Sequence, residues 1–238
     1  MSSSATSCKR MPRAFIFDCD GTLLDSMGTW LSIQPKLLET YGIQGLTSDD
    51  FAEFEHLSVE DECAAYRVKW GLSASGDEIY GRLMDMLREE YANVIPARVG
   101  AAEFLAAAHE AGIPMAIATS TPDFLVRSGL EHHGLASYFS NITTTGEAGR
   151  SKQHPDVYNL ALARLSTDRD LGEVDHGDVW VFEDAAFGLM SSGEAGYRRV
   201  GIFDPAGRTT RDEVERLSDI FIDEYPELTL DAIYSYGG

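Results

Sequence analysis

Apolar residues along this chain follow two rhythms. Four short runs, Ala14 to Phe17, Met115 to Ala118, Val179 to Phe182 and Val200 to Phe203, are nearly continuous. Runs of that length without polar alternation predict strands covered on both faces, as in a parallel sheet. Between them the spacing is helical. Ala101 to Ala111 ends at Gly112 with Pro114 beyond it, a stop signal, and a second helix is predicted from Asp156 through Leu165. Strand and helix alternating from Pro114 onward imply crossover connections and a doubly wound α/β sheet. Active sites in such sheets lie at the carboxyl ends of the strands.

The stretch from Gly28 to Tyr91 departs from that alternation. It has no convincing buried strand, and Ile79, Leu83, Leu87 and Tyr91 recur every fourth residue, which places them on one helix face. A helical insertion is expected, folded above the carboxyl end of the first strand. The predicted organisation is a tail at 1–13, a core of 14–27 with 92–238, and a helical cap at 28–91.

Charge narrows the class of partner. With 39 acidic residues against 19 basic ones, the formal charge is −20, and such a surface repels nucleic acid and anionic lipid. No nucleic-acid or membrane partner is expected. A small phosphorylated substrate remains compatible, since one buried cation and one lysine can reverse the potential inside a pocket. Cys8, Cys19 and Cys63 lack the spacing of a disulfide framework or zinc site. The serine-rich stretch Met1 to Arg13 has no apolar core like that of a secretory signal. A cytoplasmic protein, with a monomer as the preferred state, is the expectation.

Candidate chemistry begins where the first strand ends, at Asp18-Cys19-Asp20-Gly21-Thr22. Asp18 and Asp20 leave the sheet two residues apart, so both carboxylates can share one small space. At about 5 Å they would repel by about 3 kcal/mol at an effective dielectric near ~20. Magnesium would compensate, being a hard cation that accepts carboxylates, a carbonyl, waters and a phosphate oxygen. Glu183-Asp184 offers further carboxylates after another strand, and Gly21 permits a tight turn. Thr119-Ser120 gives a hydroxyl and N–H groups at a third strand end, and Lys152 precedes the Pro155-Asp156 helix start as a point charge for phosphate.

Taken alone, each feature has a plainer reading: a turn, a helix cap or a solvated lysine. Together they resemble the four motifs of the haloacid dehalogenase superfamily, whose core is a Rossmann-like doubly wound sheet. Phe15-Ile16-Phe17-Asp18-Cys19-Asp20-Gly21-Thr22 is similar to the first motif and Ile117-Ala118-Thr119-Ser120 to the second. Lys152 with Pro155-Asp156-Val157-Tyr158 is similar to the third, and Val181-Phe182-Glu183-Asp184 with Gly188 to the fourth. The resemblance implies an Mg²⁺-dependent phosphatase in which Asp18 is the nucleophile and Asp20 the general acid and base. It further implies that Asp18, the Asp20 carbonyl and Asp184 hold the metal, with Glu183 acting through a water. Thr119, the Ser120 N–H, Lys152 and the Gly21 turn would form the phosphate site.

Within that superfamily the pattern is similar to the branch of β-phosphoglucomutase and sugar-phosphate phosphatases, with informative departures. Trp30 stands where the mutase has a histidine, and Ser58-Val59-Glu60-Asp61 lacks its cap arginine. Without that arginine a second phosphate loses its anchor, which favours hydrolysis of a small phosphorylated metabolite over mutase chemistry. A phosphomutase and a phosphate-binding scaffold without turnover stay as alternatives. Arg67, Lys69, Arg82 and Arg88 are candidates to face the substrate from the cap, and Trp30 is either core or substrate wall. Ala185 and Gln153 replace a frequent serine and proline. His154, His132 and His133 are read as surface or packing residues, and Cys19 as packing.

Overall fold

Phe15 and Phe17 turn to one side of the first strand and Ala14 and Ile16 to the other, and all four are fully buried. That two-sided burial explains the continuous apolar run. The structure, a computed structural model, describes residues 11–236; the predicted tail before Met11, with Cys8, lies outside the described residues. Arg13 is not loose: its N–H donates to the Asp178 carbonyl at 2.8 Å and its guanidinium to that of Leu171 at 2.6 Å.

The sheet is parallel and six-stranded: β1 (Ala14–Phe17), β2 (Met115–Thr119), β3 (Ile142–Thr144), β4 (Val179–Glu183), β5 (Arg198–Ile202) and β6 (Ile220–Ile222), in the order β3-β2-β1-β4-β5-β6. Two edge strands, β3 and β6, join the four predicted, and β5 begins before the predicted run. Because β1 sits between β2 and β4, the chain turns in opposite directions on either side of it. That switch point opens a crevice at the carboxyl ends.

Helices α1 (Met27–Glu39), α2 (Val59–Trp70) and α3 (Gly76–Glu89) follow β1. The remainder are α4 (Ala101–Glu110), α5 (Asp123–His132), α6 (Thr145–Ala148), α7 (Asp156–Arg169), α8 (Ala186–Glu194), α9 (Arg211–Leu217) and α10 (Leu230–Ser235). On one side of the sheet Ile16 and Val181 meet Val157, Ala161 and Leu165 of α7. On the other, Phe17 stacks on Phe182 with ring centroids 4.1 Å apart. Removing such a ring, as in Phe17→Ala, typically costs about 3–5 kcal/mol.

The apolar cluster on that second side runs without a break into the helical segment, through Leu24, Trp30, Leu37, Leu83 and Tyr91. Helix α3 starts at a capping box in which Ser75 and Glu78 satisfy each other's backbone N–H groups, and it buries Ile79, Leu83 and Leu87. Tyr91 shares their burial but lies past the helix, in a π-helical turn where the Ile95 N–H reaches back to the Glu90 carbonyl at 2.8 Å. The two chain crossings between this segment and the sheet are bonded to each other: Asp25 N–H to Pro96 carbonyl at 2.9 Å, and Arg98 N–H to Leu23 carbonyl at 2.8 Å.

Candidate active site

Three strand ends converge at the switch point. Asp18 follows β1, Thr119 closes β2, and Glu183 closes β4 with Asp184 next; with Asp20, Ser120 and Lys152 they line one cavity. Lys152 comes from the loop before α7, and its carbonyl is pinned by the Ser191 hydroxyl at 2.6 Å. The Lys152 ammonium donates to Asp18 Oδ1 and, at 2.8 Å, to Glu183 Oε2. Glu183 is further held by the Tyr158 hydroxyl at 3.0 Å and the Ala185 N–H at 3.2 Å. Gly188 permits this approach, because a Cβ there would lie 2.6 Å from the Glu183 carboxyl carbon and from the Tyr158 oxygen.

Burial and charge pull against each other here. Asp18 is pushed up to about 8, chiefly by burial, with Glu183 and Asp20 adding to the shift and Lys152 opposing it. Asp184 is raised well above the usual carboxylate range by burial and by the charges of Glu183 and Asp18. Burial alone would lower Lys152, yet Asp18 and Glu183 outweigh it and hold the ammonium well above its ordinary value. Oxygen atoms of Asp18, Glu183 and Asp184 lie within 4.8 Å of one another. Three carboxylates against one ammonium leave two negative charges in a buried space, a deficit that suits a divalent cation bound through oxygen.

Gly21 takes φ +80°, and a Cβ on it would fall 2.5 Å from Asp184 Oδ2. The expected tight turn therefore also makes room for the second carboxylate. Thr22 donates to Asp184 Oδ1 at 3.1 Å. Thr119 Oγ1 accepts the Thr121 N–H at 3.0 Å, and the buried Ser120 hydroxyl has no partner among the described residues. The Asp20 carboxylate stands outside the acidic set. Its Oδ1 accepts from Ser26 Oγ at 2.6 Å and from the Tyr91 hydroxyl.

Several residues enter the site that the sequence reading did not single out. Arg208, between β5 and α9, lines the cavity, as do Gln34, Glu55 and Glu62 of the helical segment. Asp204 is buried with one carboxylate oxygen lacking a partner among the described residues, and a Cβ on Gly21 would meet it at 3.0 Å. None of these carries a local signal; they are brought together by loops returning to the crevice. The four cationic candidates of the insertion do not line this cavity. Lys69 pairs with Glu53 at 2.7 Å, Arg88 lies over Phe124, Arg82 lies over Tyr41, and Arg67 is exposed. Val59, which stands where the mutase has its cap arginine, is buried, and Ser58 before it caps α2 by accepting the Asp61 N–H at 3.2 Å. Trp30 is buried against the cluster and also borders the cavity, so it is both core and wall. Cys19 is fully buried.

The sequence model of the haloacid dehalogenase-like hydrolases matches residues 15–202. The chain belongs to that family, and its six-stranded parallel sheet with flanking helices is an α/β fold shared with solved structures. A phosphorylated carbohydrates phosphatase of Thermotoga maritima is 25% identical over 187 residues, 79% of this chain and 83% of its own. Hexitol phosphatase B of Escherichia coli is 24% identical over 225 residues, covering 94% and 97%. Among solved structures, CbbY of Rhodobacter sphaeroides, in complex with phosphate, superposes with a TM-score of 0.78 over 92% of this chain and 96% of its own, at 22% identity.

Proposed function

We propose that this hydrolase is an Mg²⁺-dependent phosphatase that removes phosphate from a small phosphorylated metabolite, a sugar phosphate or similar monoester. The reading rests first on Lys152 held between Asp18 and Glu183 at the cavity floor beside Asp184. That arrangement pairs a carboxylate nucleophile with a cation for the phosphoryl oxygens. The names of the two curated relatives, a carbohydrate phosphatase and a hexitol phosphatase, point to the same chemistry.

In this reading Asp18 attacks phosphorus and the ester oxygen leaves, giving an aspartyl-phosphate; water then attacks phosphorus and returns Asp18 as carboxylate. Asp20 gives its proton to the leaving alcohol and takes one from the water. Lys152, Thr119 and the Ser120 N–H hold the phosphoryl oxygens, where transition-state charge is spread. Asp18, the Asp20 carbonyl and Asp184 would hold Mg²⁺, with Glu183 behind them. When bound, the cation supplies the positive charge that lets a phosphate dianion approach a carboxylate. Residues 28–91 serve as a cap over the core of 14–27 and 92–238, excluding bulk water from the ester.

Gln34 and Glu62 give the cap wall hydrogen-bonding groups that suit a polyhydroxylated leaving group. Mutase chemistry would need a second phosphate anchor from the cap, and where the mutase has an arginine this chain has the buried, apolar Val59. A screen of phosphorylated metabolites with Mg²⁺, run on the wild type and on Asp18→Asn, tests the proposal. Release of phosphate by the wild type and none by the variant is expected. Phosphate binding without any release would instead identify a scaffold.

A further inference from the structure

The two carboxylate oxygens of Asp20 have different surroundings. Oδ1 accepts from the Ser26 hydroxyl at 2.6 Å and from the Tyr91 hydroxyl, whereas Oδ2 is buried without a partner among the described residues. The direction of these bonds is fixed from outside. Trp30 Nε1, a donor that cannot accept, gives its hydrogen to the Tyr91 oxygen at 2.7 Å. With that side of the phenol occupied by a donor, its own single hydrogen is free to point at Asp20. An oxygen already receiving two hydrogens is a poor seat for a third, so the mobile proton of this carboxyl belongs on Oδ2.

We propose that Tyr91 and Trp30 are positioning residues that reserve Oδ2 of Asp20 as the atom exchanging a proton with the leaving group. The inference rests on the phosphatase reading and adds to it two residues and an oxygen. In the first step the Asp18 oxygen–phosphorus bond forms, the phosphorus–ester oxygen bond breaks, and that oxygen takes the Oδ2 proton. In the second step, water adds to phosphorus, gives a proton to Oδ2, and the Asp18–phosphorus bond breaks.

The placement of the pair ties this acid to the helical segment. Trp30 lies in α1 and Tyr91 in the π-helical turn after α3, so the first and last parts of that segment meet at one carboxylate of the sheet. A movement of the segment relative to the sheet would turn or release the phenol, and with it the orientation of Asp20. A Trp–Tyr pair that merely filled the core would show no preference for leaving groups that need a proton.

That difference is the test. Phenyl phosphate and p-nitrophenyl phosphate have nearly the same shape, but the phenolate needs protonation far more than the nitrophenolate. kcat/KM reports only the steps through transfer to Asp18, so hydrolysis of the aspartyl-phosphate does not blur the comparison. For Tyr91→Phe the ratio of kcat/KM for phenyl over p-nitrophenyl phosphate is expected to fall on the order of 10-fold from its wild-type value, a part of the usual general-acid contribution. Trp30→Phe, which frees the phenol to turn, shifts the ratio the same way by less. An unchanged ratio in both variants, whether or not total activity falls, overturns the inference and leaves the phosphatase reading intact. A wild type inert toward both esters removes that reading and the inference with it.

Discussion

Arg208 reaches Asp49 at 3.2 Å across a separation of 159 residues, and the same guanidinium donates to the Ser48 carbonyl. One residue belongs to the loop after β5, the other to the short 3₁₀ turn Ser48–Phe54 of the helical segment. A third partner, Glu55, stands 3.8 Å away. This contact fastens the segment over the cavity that Arg208 also lines.

Because the Asp49 side chain is 91% exposed, the ion pair itself contributes little to stability, typically under about 1 kcal/mol. Arg208→Ala is therefore expected to leave the thermal midpoint nearly unchanged. Its effect should fall on closure, with KM for a phosphate ester raised several-fold. A large fall in midpoint with unchanged KM would assign the arginine to the fold alone.

Metal binding makes a prediction that needs no turnover. Crowding of Asp18, Glu183 and Asp184 around one ammonium favours the proton-bound carboxyl form in the empty site, and a divalent cation would take the place of those protons, so Mg²⁺ in excess should raise the melting temperature by several degrees through linkage. Asp184→Asn removes one of the ligands and should abolish most of that shift. Equal stabilisation of both proteins in differential scanning fluorimetry would place the ion elsewhere.

Glu62 sets a pH dependence of stability. Its carboxylate accepts from Gln34 Nε2 at 2.7 Å and from the Tyr66 hydroxyl, yet burial, the largest influence, pushes it from 4.5 up to about 7. Between those values the unfolded chain has lost the proton and the folded chain has kept it. This contribution is therefore complete below pH 4.5 and disappears as pH rises towards about 7, a change of about 3 kcal/mol. Glu62→Gln has no such titration. Urea unfolding at pH 4 and pH 8 should show the variant gaining on the wild type at the higher pH; a constant difference would contradict the shift.

At Gly21 the steric argument is direct. Alanine there would hold φ near +80° and place its methyl 2.5 Å from Asp184 Oδ2. The backbone penalty is about 1–2 kcal/mol, and the carboxylate must also move. A displacement near ~1 Å at a reacting centre can cost about 100-fold in rate. Gly21→Ala should consequently lose both turnover and the Mg²⁺-induced melting shift while remaining folded by circular dichroism.

Much of this was legible before any coordinates. Ala14 to Phe17 and Val179 to Phe182 read as buried strands because their apolar runs do not alternate, and that same pattern put Asp18 and the Glu183-Asp184 pair at strand ends. The edge strands were not legible. Ile142–Thr144 and Ile220–Ile222 are three residues long and partly exposed, too short for a pattern to form. Arg208 and Asp204 share that limit, since their importance comes from where a loop returns. Tyr91 was read for its apolar ring, as a fourth residue on a helix face. Its hydroxyl became significant only when the π-helical turn brought it to Asp20.

The central claim is that Asp18 accepts phosphorus. The most direct measurement is rapid acid quench during turnover of ³²P-labelled p-nitrophenyl phosphate with Mg²⁺, followed by borohydride reduction and mass spectrometry. Label on the quenched protein that hydroxylamine releases, and conversion of Asp18 to homoserine on reduction, both absent from Asp18→Asn, are the predicted result. Turnover that continues in Asp18→Asn, or a reduction product at another residue, would contradict it.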